Sequence, residues 1–410
     1  MSVSWRSSLS GELARRLALE RRAGLAREAA ALPSGPGVLD FLSHDCLGLA
    51  EDAGWRRTLA RCAARHAPSG RASWVAGGRT ALADEAAAAC AAYFGAAECR
   101  FFASGYQAQL AAVVGLLHPG QPLLTDRRMH ASAVRFLGQS RARVLPYAHA
   151  DMAHLERRLH RLAAEVETDD EAAGRQPVVM SESLFSMDGT LLDMPAWRTL
   201  RQRFGFWGWL DEAHSLGALG PQGRGMAAQW PGAADLVLGS LGKALGYWGA
   251  FLLLPEGFSA YLEQWASPLL HSTALPPAHA AGVLALLERL PGLDEQRQDL
   301  AEKARFFRDR LREAGLPVQG EAHILAVPVG DAAACAAWAA RLRERGVLLL
   351  AARHPTVPQG RALLRCTVRT GHSRDDLRRA ADCLARTAPR RLAPGDEQPA
   401  PRTRPGGGLP

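Results

Sequence analysis

The sequence has no CxxC pair, and its seven cysteines (Cys46, Cys62, Cys90, Cys99, Cys335, Cys366 and Cys383) are an odd number. Both features argue against a disulfide framework and set a reducing cytoplasm as the expected compartment. No apolar run approaches the roughly 20 residues of a membrane helix, so no membrane span is expected. The formal charge of +8 comes without any basic block interleaved with aromatics. The 49 lysines and arginines are dispersed among 41 acids, which is the pattern of a solvated surface. Nucleic acid is therefore not the expected partner. A mild preference for anionic small molecules, such as a nucleotide-bearing thioester, fits the charge better. No internal repeat is present.

What remains is an ordinary globular composition, 410 residues with 48% hydrophobic content, enough for two or three domains. The first thirty residues are Arg-rich, with Leu9, Leu13 and Leu17 at helical spacing. Glu12, Glu20 and Glu28 argue against a mitochondrial presequence. A surface helix docked on the body or on a partner subunit is expected. "LPSGPG" (Leu32–Gly37) separates that helix from the main body of the chain, and the Pro/Gly/Arg-rich stretch from Ala388 reads as a disordered tail.

Between these ends, short β-rich runs alternate with helical patterns. "CRFFAS", "QPLLTD", "PVVMSE", "FWGWLDE" and "DLVLGS" are buried-strand runs, each closing on a polar residue: Ser104, Asp126, Glu182, Asp211 and Ser240. Such alternation predicts an α/β fold with a mainly parallel sheet. In that architecture ligands bind beyond the carboxyl ends of the strands, where these five residues would gather. After Pro276-Pro277 the pattern becomes that of a smaller α+β unit, opening on a long helix from about Ala278 to Leu311. The expected division is an N-terminal helical segment (1–45), a large domain (46–277), a small C-terminal domain (278–387) and the tail (388–410).

The segment "GSLGKALGYWGA" places Lys243 among small and apolar residues at a strand end. Burying an ammonium is expensive unless it is paired or neutralised. Asp211 ends another strand, and His214 comes three residues later. Taken singly, an Asp at a strand end is more often a cap or ion-pair partner, and a lone His more often a core residue. Jointly they describe a pocket for pyridoxal 5′-phosphate (PLP). Desolvation supplies an unprotonated amine for its aldehyde. A buried carboxylate keeps its ring nitrogen protonated, and a helix N-terminus at "SGY" (Ser104–Tyr106) receives its phosphate.

The motifs "ASGYQAQ", "DRRMHAS", "SESLFSMDGTLLDM", "LDEAHSLGALGPQGRG", "GSLGKALGYWGA", "HSTALPP" and "LLRCTV" resemble the α-oxoamine synthases. These are PLP-dependent enzymes of the aspartate-aminotransferase fold (type I), whose large domain carries a seven-stranded sheet. The resemblance runs from about His44 to His372. It implies that Lys243 forms the Schiff base, Asp211 pairs with the pyridine nitrogen and His214 bonds the ring oxygen. His130 would stack on the ring, with Gly105 and Tyr106 at the phosphate through their backbone. Ser186 would touch the cofactor, Glu182 lies just before it, and Ser240 stands where the family has threonine. Ser272 and Thr273 would reach the phosphate of a neighbouring subunit, implying a homodimer with shared active sites. Arg365 would take the amino-acid carboxylate with Thr367 close by. No metal is implied. The reaction implied is decarboxylative condensation of an amino acid with an acyl-CoA, Lys243 serving as nucleophile, base and acid in turn.

Departures from the family pattern concern the substrate. Its "NDYLGL" reads "HDCLGL" here, so that His44 replaces a substrate-side asparagine and Cys46 a tyrosine. A glycine-rich loop reads "PSGRAS", where Arg71 and the adjoining Trp74 add bulk expected to reshape the acyl or amino-acid channel. "SMDGTLLDM", "GPQGRG" and "HPTVPQGRALLR" sit nearest the members joining L-alanine to a pimeloyl thioester. The alternative is a member making long-chain amino ketones for signalling or secondary metabolism. A plain aminotransferase or a non-catalytic subunit of this fold is the remaining alternative.

Overall fold

The computed structural model describes residues 5–22, 33, 35, 37–166, 175–390 and 392. Twelve strands are present among them: β1 (Leu39–Asp40), β2 (Glu98–Phe102), β3 (Pro122–Asp126), β4 (Arg143–Tyr147), β5 (Val178–Glu182), β6 (Trp207–Asp211), β7 (Leu236–Ser240), β8 (Ala250–Leu254), β9 (Ile324–Gly330), β10 (Val347–Leu348), β11 (Leu350–Ala352) and β12 (Ala362–Thr367). β2 to β8 form one seven-stranded sheet in the order β2-β8-β7-β6-β5-β3-β4. Only β8 runs against the others, pairing antiparallel with both β2 and β7.

The runs read from the sequence as strands are strands because both sheet faces are covered. Every residue of β3, β5, β7 and β8 is buried, which a continuous apolar run tolerates and an alternating one would not. One face packs on a cluster that includes Ala108, Ala112, Met180 and Trp209, the other on one that includes Leu124, Leu159, Trp197 and Leu210. Gly239 shows how tight this is. A methyl group there would lie 2.2 Å from the Phe251 ring.

The C-terminal unit carries the antiparallel sheet β11-β12-β9 and the helices Asp294–Glu313, Ala332–Arg343 and Arg374–Thr387. The long helix expected from Ala278 is broken into Pro277–Arg289 and Asp294–Glu313 by a 3-10 turn at Leu290–Leu293. Pro291 removes a backbone donor there, which an uninterrupted helix needs. The N-terminal region also departs from a purely helical segment. The helix Trp5–Arg22 precedes β1, which pairs in parallel with β10. Leu9, Leu13 and Leu17 of that helix stay about half exposed and do not dock on the described body. Of the expected tail, Ala388 and Leu392 pack against the largest apolar cluster, and 393–410 lie outside the described residues.

Candidate active site

Asp126, Glu182, Asp211 and Ser240 are the last residues of β3, β5, β6 and β7, so the parallel sheet brings all four to one edge. Glu182 and Asp211 are direct register partners. Lys243 lies just beyond β7 in a closed turn. Leu241 N–H donates to Gly249 O (2.9 Å), Tyr247 N–H to Leu241 O (2.8 Å) and Gly246 N–H to Lys243 O (3.0 Å). Gly246 has φ 55°, and a Cβ there would sit 2.4 Å from Leu49 Cβ, so only glycine closes this turn. The turn is pinned from outside by Trp55 Nε1–H on Gly246 O at 2.9 Å.

This placement decides the chemistry of the amine. Burial pushes the Lys243 pKa down, against the pull of Asp211 and Glu182, and Arg365 lowers it further, to about 8. No hydrogen bond holds Nζ among the described residues, so the amine is free to react. Asp211 is buried and accepts from Ala213 N–H at Oδ1 (2.9 Å) and from Gln109 Nε2 at Oδ2 (2.9 Å). Glu182 is the opposite case. Burial and the neighbouring Asp211 hold its pKa well above the usual carboxylate range. Its Oε1 has no partner, while Oε2 accepts from Ser186 N–H at 3.0 Å.

Arg365 reaches the site from β12 of the C-terminal unit. Its Nε donates to Ser186 O, Nη1 to Thr367 Oγ1 (2.8 Å) and Nη2 to His44 Nδ1 (3.3 Å). A guanidinium has five N–H donors, so one remains on each Nη, the pair a carboxylate takes in bidentate fashion. Because Arg365 can only donate, His44 accepts at Nδ1 and carries its proton on Nε2. His44 is neutral, its pKa pushed down to about 3 by burial and the Arg365 charge. His214 is held well below the usual range by burial, Lys243 and Arg365, and its ring meets His44 edge-on at 5.2 Å.

His130 caps the short helix Ala131–Val134, with Nδ1 2.7 Å from Ser132 Oγ, and keeps an exposed ring. Strand pairing, hydrogen bonds and a ring contact join Asp211, Glu182, Ser186, Arg365, Thr367, His44 and His214, and Lys243 and His130 lie within electrostatic reach of Asp211. Gly105 opens the helix Gly105–Leu116, capped by Ser104 Oγ on Gln107 N–H (3.3 Å), and no atom lies within 4 Å of where its Cβ would be. Tyr106 is half exposed against Phe136.

Ser272 and Thr273 are not bonded to this group. They line a crevice with Trp74, Phe101, Phe102 and Gln107, where Thr273 bridges to Ser73. Trp74 does not stand free in a channel. Its Nε1 donates to Glu263 Oε1 (2.8 Å), and the Arg100 guanidinium lies 5.0 Å over its ring.

Two residues of the site were not singled out from sequence. Gln109 is a fully buried amide in an otherwise apolar helix run, and that mismatch was its only signal. His323 is buried beside β9, its Nδ1 unpartnered and its pKa pushed down to about 3 by burial and Arg365. The donor set fits PLP: a free amine of depressed pKa for the aldehyde, a buried carboxylate for the ring nitrogen, and an open helix N-terminus for the phosphate. No group of three metal-ligating side chains is found among the described residues.

The family profile described as aminotransferase class I and II matches residues 60–384. The 8-amino-7-oxononanoate synthase of Halorhodospira halophila is 35% identical over 408 residues, covering 95% of this chain and 98% of that protein. Among solved structures, a serine palmitoyltransferase from S. paucimobilis with bound PLP and myriocin superposes with a TM-score of 0.82 at 22% identity, over 94% of this chain and 98% of that one. The 8-amino-7-oxononanoate synthase of Francisella tularensis gives 0.72 at 22% identity, over 86% and 98%. At that identity the two structures speak to the fold alone.

Proposed function

The chain belongs to the class I and II aminotransferases, and within them to the α-oxoamine synthases, and from that membership we propose that it acts as an 8-amino-7-oxononanoate synthase. It is a PLP-dependent acyltransferase that joins an amino acid to an acyl thioester, releasing the thiol carrier and carbon dioxide. L-alanine and a pimeloyl thioester are the substrates that the resemblance at "SMDGTLLDM", "GPQGRG" and "HPTVPQGRALLR" implies. One observation carries the chemistry: a free, half-buried lysine whose pKa falls to about 8, beside Asp211 at the carboxyl edge of a parallel sheet.

PLP, when bound, supplies an aldehyde to hold the amino acid and a ring that takes up the electron pair left at Cα. The rest is done by residues of this chain. Lys243 Nζ, titrating near neutrality, takes a proton at Cα and returns one after carbon dioxide leaves. With PLP bound, Asp211 would hold the positive charge at the ring nitrogen, His214 would face the ring oxygen and His130 would offer its open face to the ring. Gly105, Tyr106 and Ser240 would serve the phosphate. The two spare N–H groups of Arg365 receive the amino-acid carboxylate, between Thr367 and the Nε2–H of His44. Ser186 and Glu182 close that wall.

We assign the enzyme to the cytoplasm, in two domains divided near residue 277, and as a homodimer in which Ser272 and Thr273 serve the neighbouring site. Their placement away from the Lys243 group in one chain, with Thr273 exposed, supports that assembly. The test is a panel of amino acids against acyl-CoA thioesters of graded length, monitoring thiol release and product mass. Alanine with pimeloyl-CoA is expected to turn over fastest. Preference for a long-chain acyl donor would move the reading to the signalling alternative. Transamination without thiol release would overturn it.

A further inference from the structure

Among the described residues Gln109 is the fully buried amide that touches the site, and its surroundings give it no structural reason to be there. It lies one turn inside the helix that Gly105 opens, among the buried Ala108, Ala111, Ala112 and Val113. Its Nε2 donates to Asp211 Oδ2 at 2.9 Å, and its Oε1 is buried with no partner. The amide orientation comes from chemistry, since an ionised carboxylate only accepts. Leucine or methionine would fill the same space without an unsatisfied carbonyl, and burying such a group costs free energy. A residue retained against that cost is retained for the contact it makes.

That contact completes a cradle. Asp211 takes one donor at each oxygen, Ala213 N–H at Oδ1 and Gln109 at Oδ2, which fixes the plane of the carboxylate. We propose that Gln109 is a positioning residue: it locks the Asp211 carboxylate in one orientation, and so links the phosphate end of the pocket to the ring-nitrogen end through a single helix. The inference rests on the PLP reading above and deepens it.

Gln109→Leu and Gln109→Met, the latter close to isosteric, test this by PLP titration of the apoprotein, reading both affinity and the absorbance band of the bound cofactor. Each variant removes the unsatisfied Oε1 but also the donor to Asp211 Oδ2, and the two effects offset, so melting without PLP is expected close to the wild-type temperature. PLP affinity should fall about ten- to hundredfold, the span of one hydrogen bond to a charged group. An Asp211 carboxylate that is no longer aligned grips the ring nitrogen less firmly, so the absorbance band of the bound cofactor should also move, which a loss of packing alone would not cause. Affinity within about twofold of wild type would overturn the proposal, as would an unshifted band, or variants that fail to fold. A wild-type protein that binds no PLP would instead sink the functional reading.

Discussion

Replacing Lys243 with methionine should make the apoprotein more stable while abolishing covalent capture of PLP. An ordinary lysine titrates at 10.5, and Lys243 is lowered to about 8, chiefly by burial. The unfolded chain therefore holds this proton across a window in which the folded chain has given it up. Folding expels a proton between about 8 and 10.5, so the native state gains stability as pH rises through that window. Below it, the folded protein carries a buried ammonium that water would hold more cheaply. At 1.36 kcal/mol per pKa unit, the burden is about 3 kcal/mol at pH 7 and about 2 kcal/mol at pH 9. Methionine removes the charge and keeps the length. With an unfolding entropy of about 2.1 cal/mol/K per residue, about 3 kcal/mol in a chain of this size raises the melting temperature by about 4 °C. Scanning calorimetry of both apoproteins between pH 6.5 and 9.5 reads this directly. The reasoning fails if the variant is no more stable at pH 7, or if its advantage grows toward pH 9.5. The same burial serves function. At pH 7 about one Lys243 in eleven is neutral, against about one in three thousand for a lysine in water.

The loops around the site give two further expectations. His149 is 3.1 Å from Asp126 and 3.3 Å from Asp188, which also pairs with Arg128, and its ring lies edge-on to Phe185. Burial alone would lower its pKa, but the two carboxylates outweigh that and raise it to about 9. Its stabilisation is thus complete below about 6.5 and is lost as pH rises through 9. His149→Gln should lower the urea midpoint at pH 6.5 by the equivalent of about 2 kcal/mol and by much less above pH 9.5, and a pH-independent loss would refute the assignment. Gly105→Ala places a methyl where no atom lies within 4 Å, so melting should be unchanged. PLP affinity should fall nonetheless because the methyl stands at the helix mouth, and unaltered PLP binding would show that the phosphate lies elsewhere.

What could be read from sequence was what a residue type does at a strand end. Apolar runs closing on Asp126, Glu182, Asp211 and Ser240 predict that these residues share one sheet edge, and the sheet gathers them there. Lys243 is also one of only two lysines in the chain, the other being Lys303. The partners of those residues were not legible, because sheet order and domain docking choose them. Arg365 meets Ser186 across 179 residues and His44 across 321, and Gln109 finds Asp211 across 102. Trp74 read as bulk in a channel because nothing near it in sequence announces Glu263, 189 residues away. The amphipathic leucines of Trp5–Arg22 predicted a helix docked on the body or on a partner subunit. They do not lie on the described body, because periodicity reports only that a face could be buried, never which surface is offered to it. Gln109 marks the boundary between the two kinds of information. In sequence it is a second glutamine in a mostly apolar helix, and only the neighbouring strand β6 turns it into a contact on the carboxylate the cofactor needs.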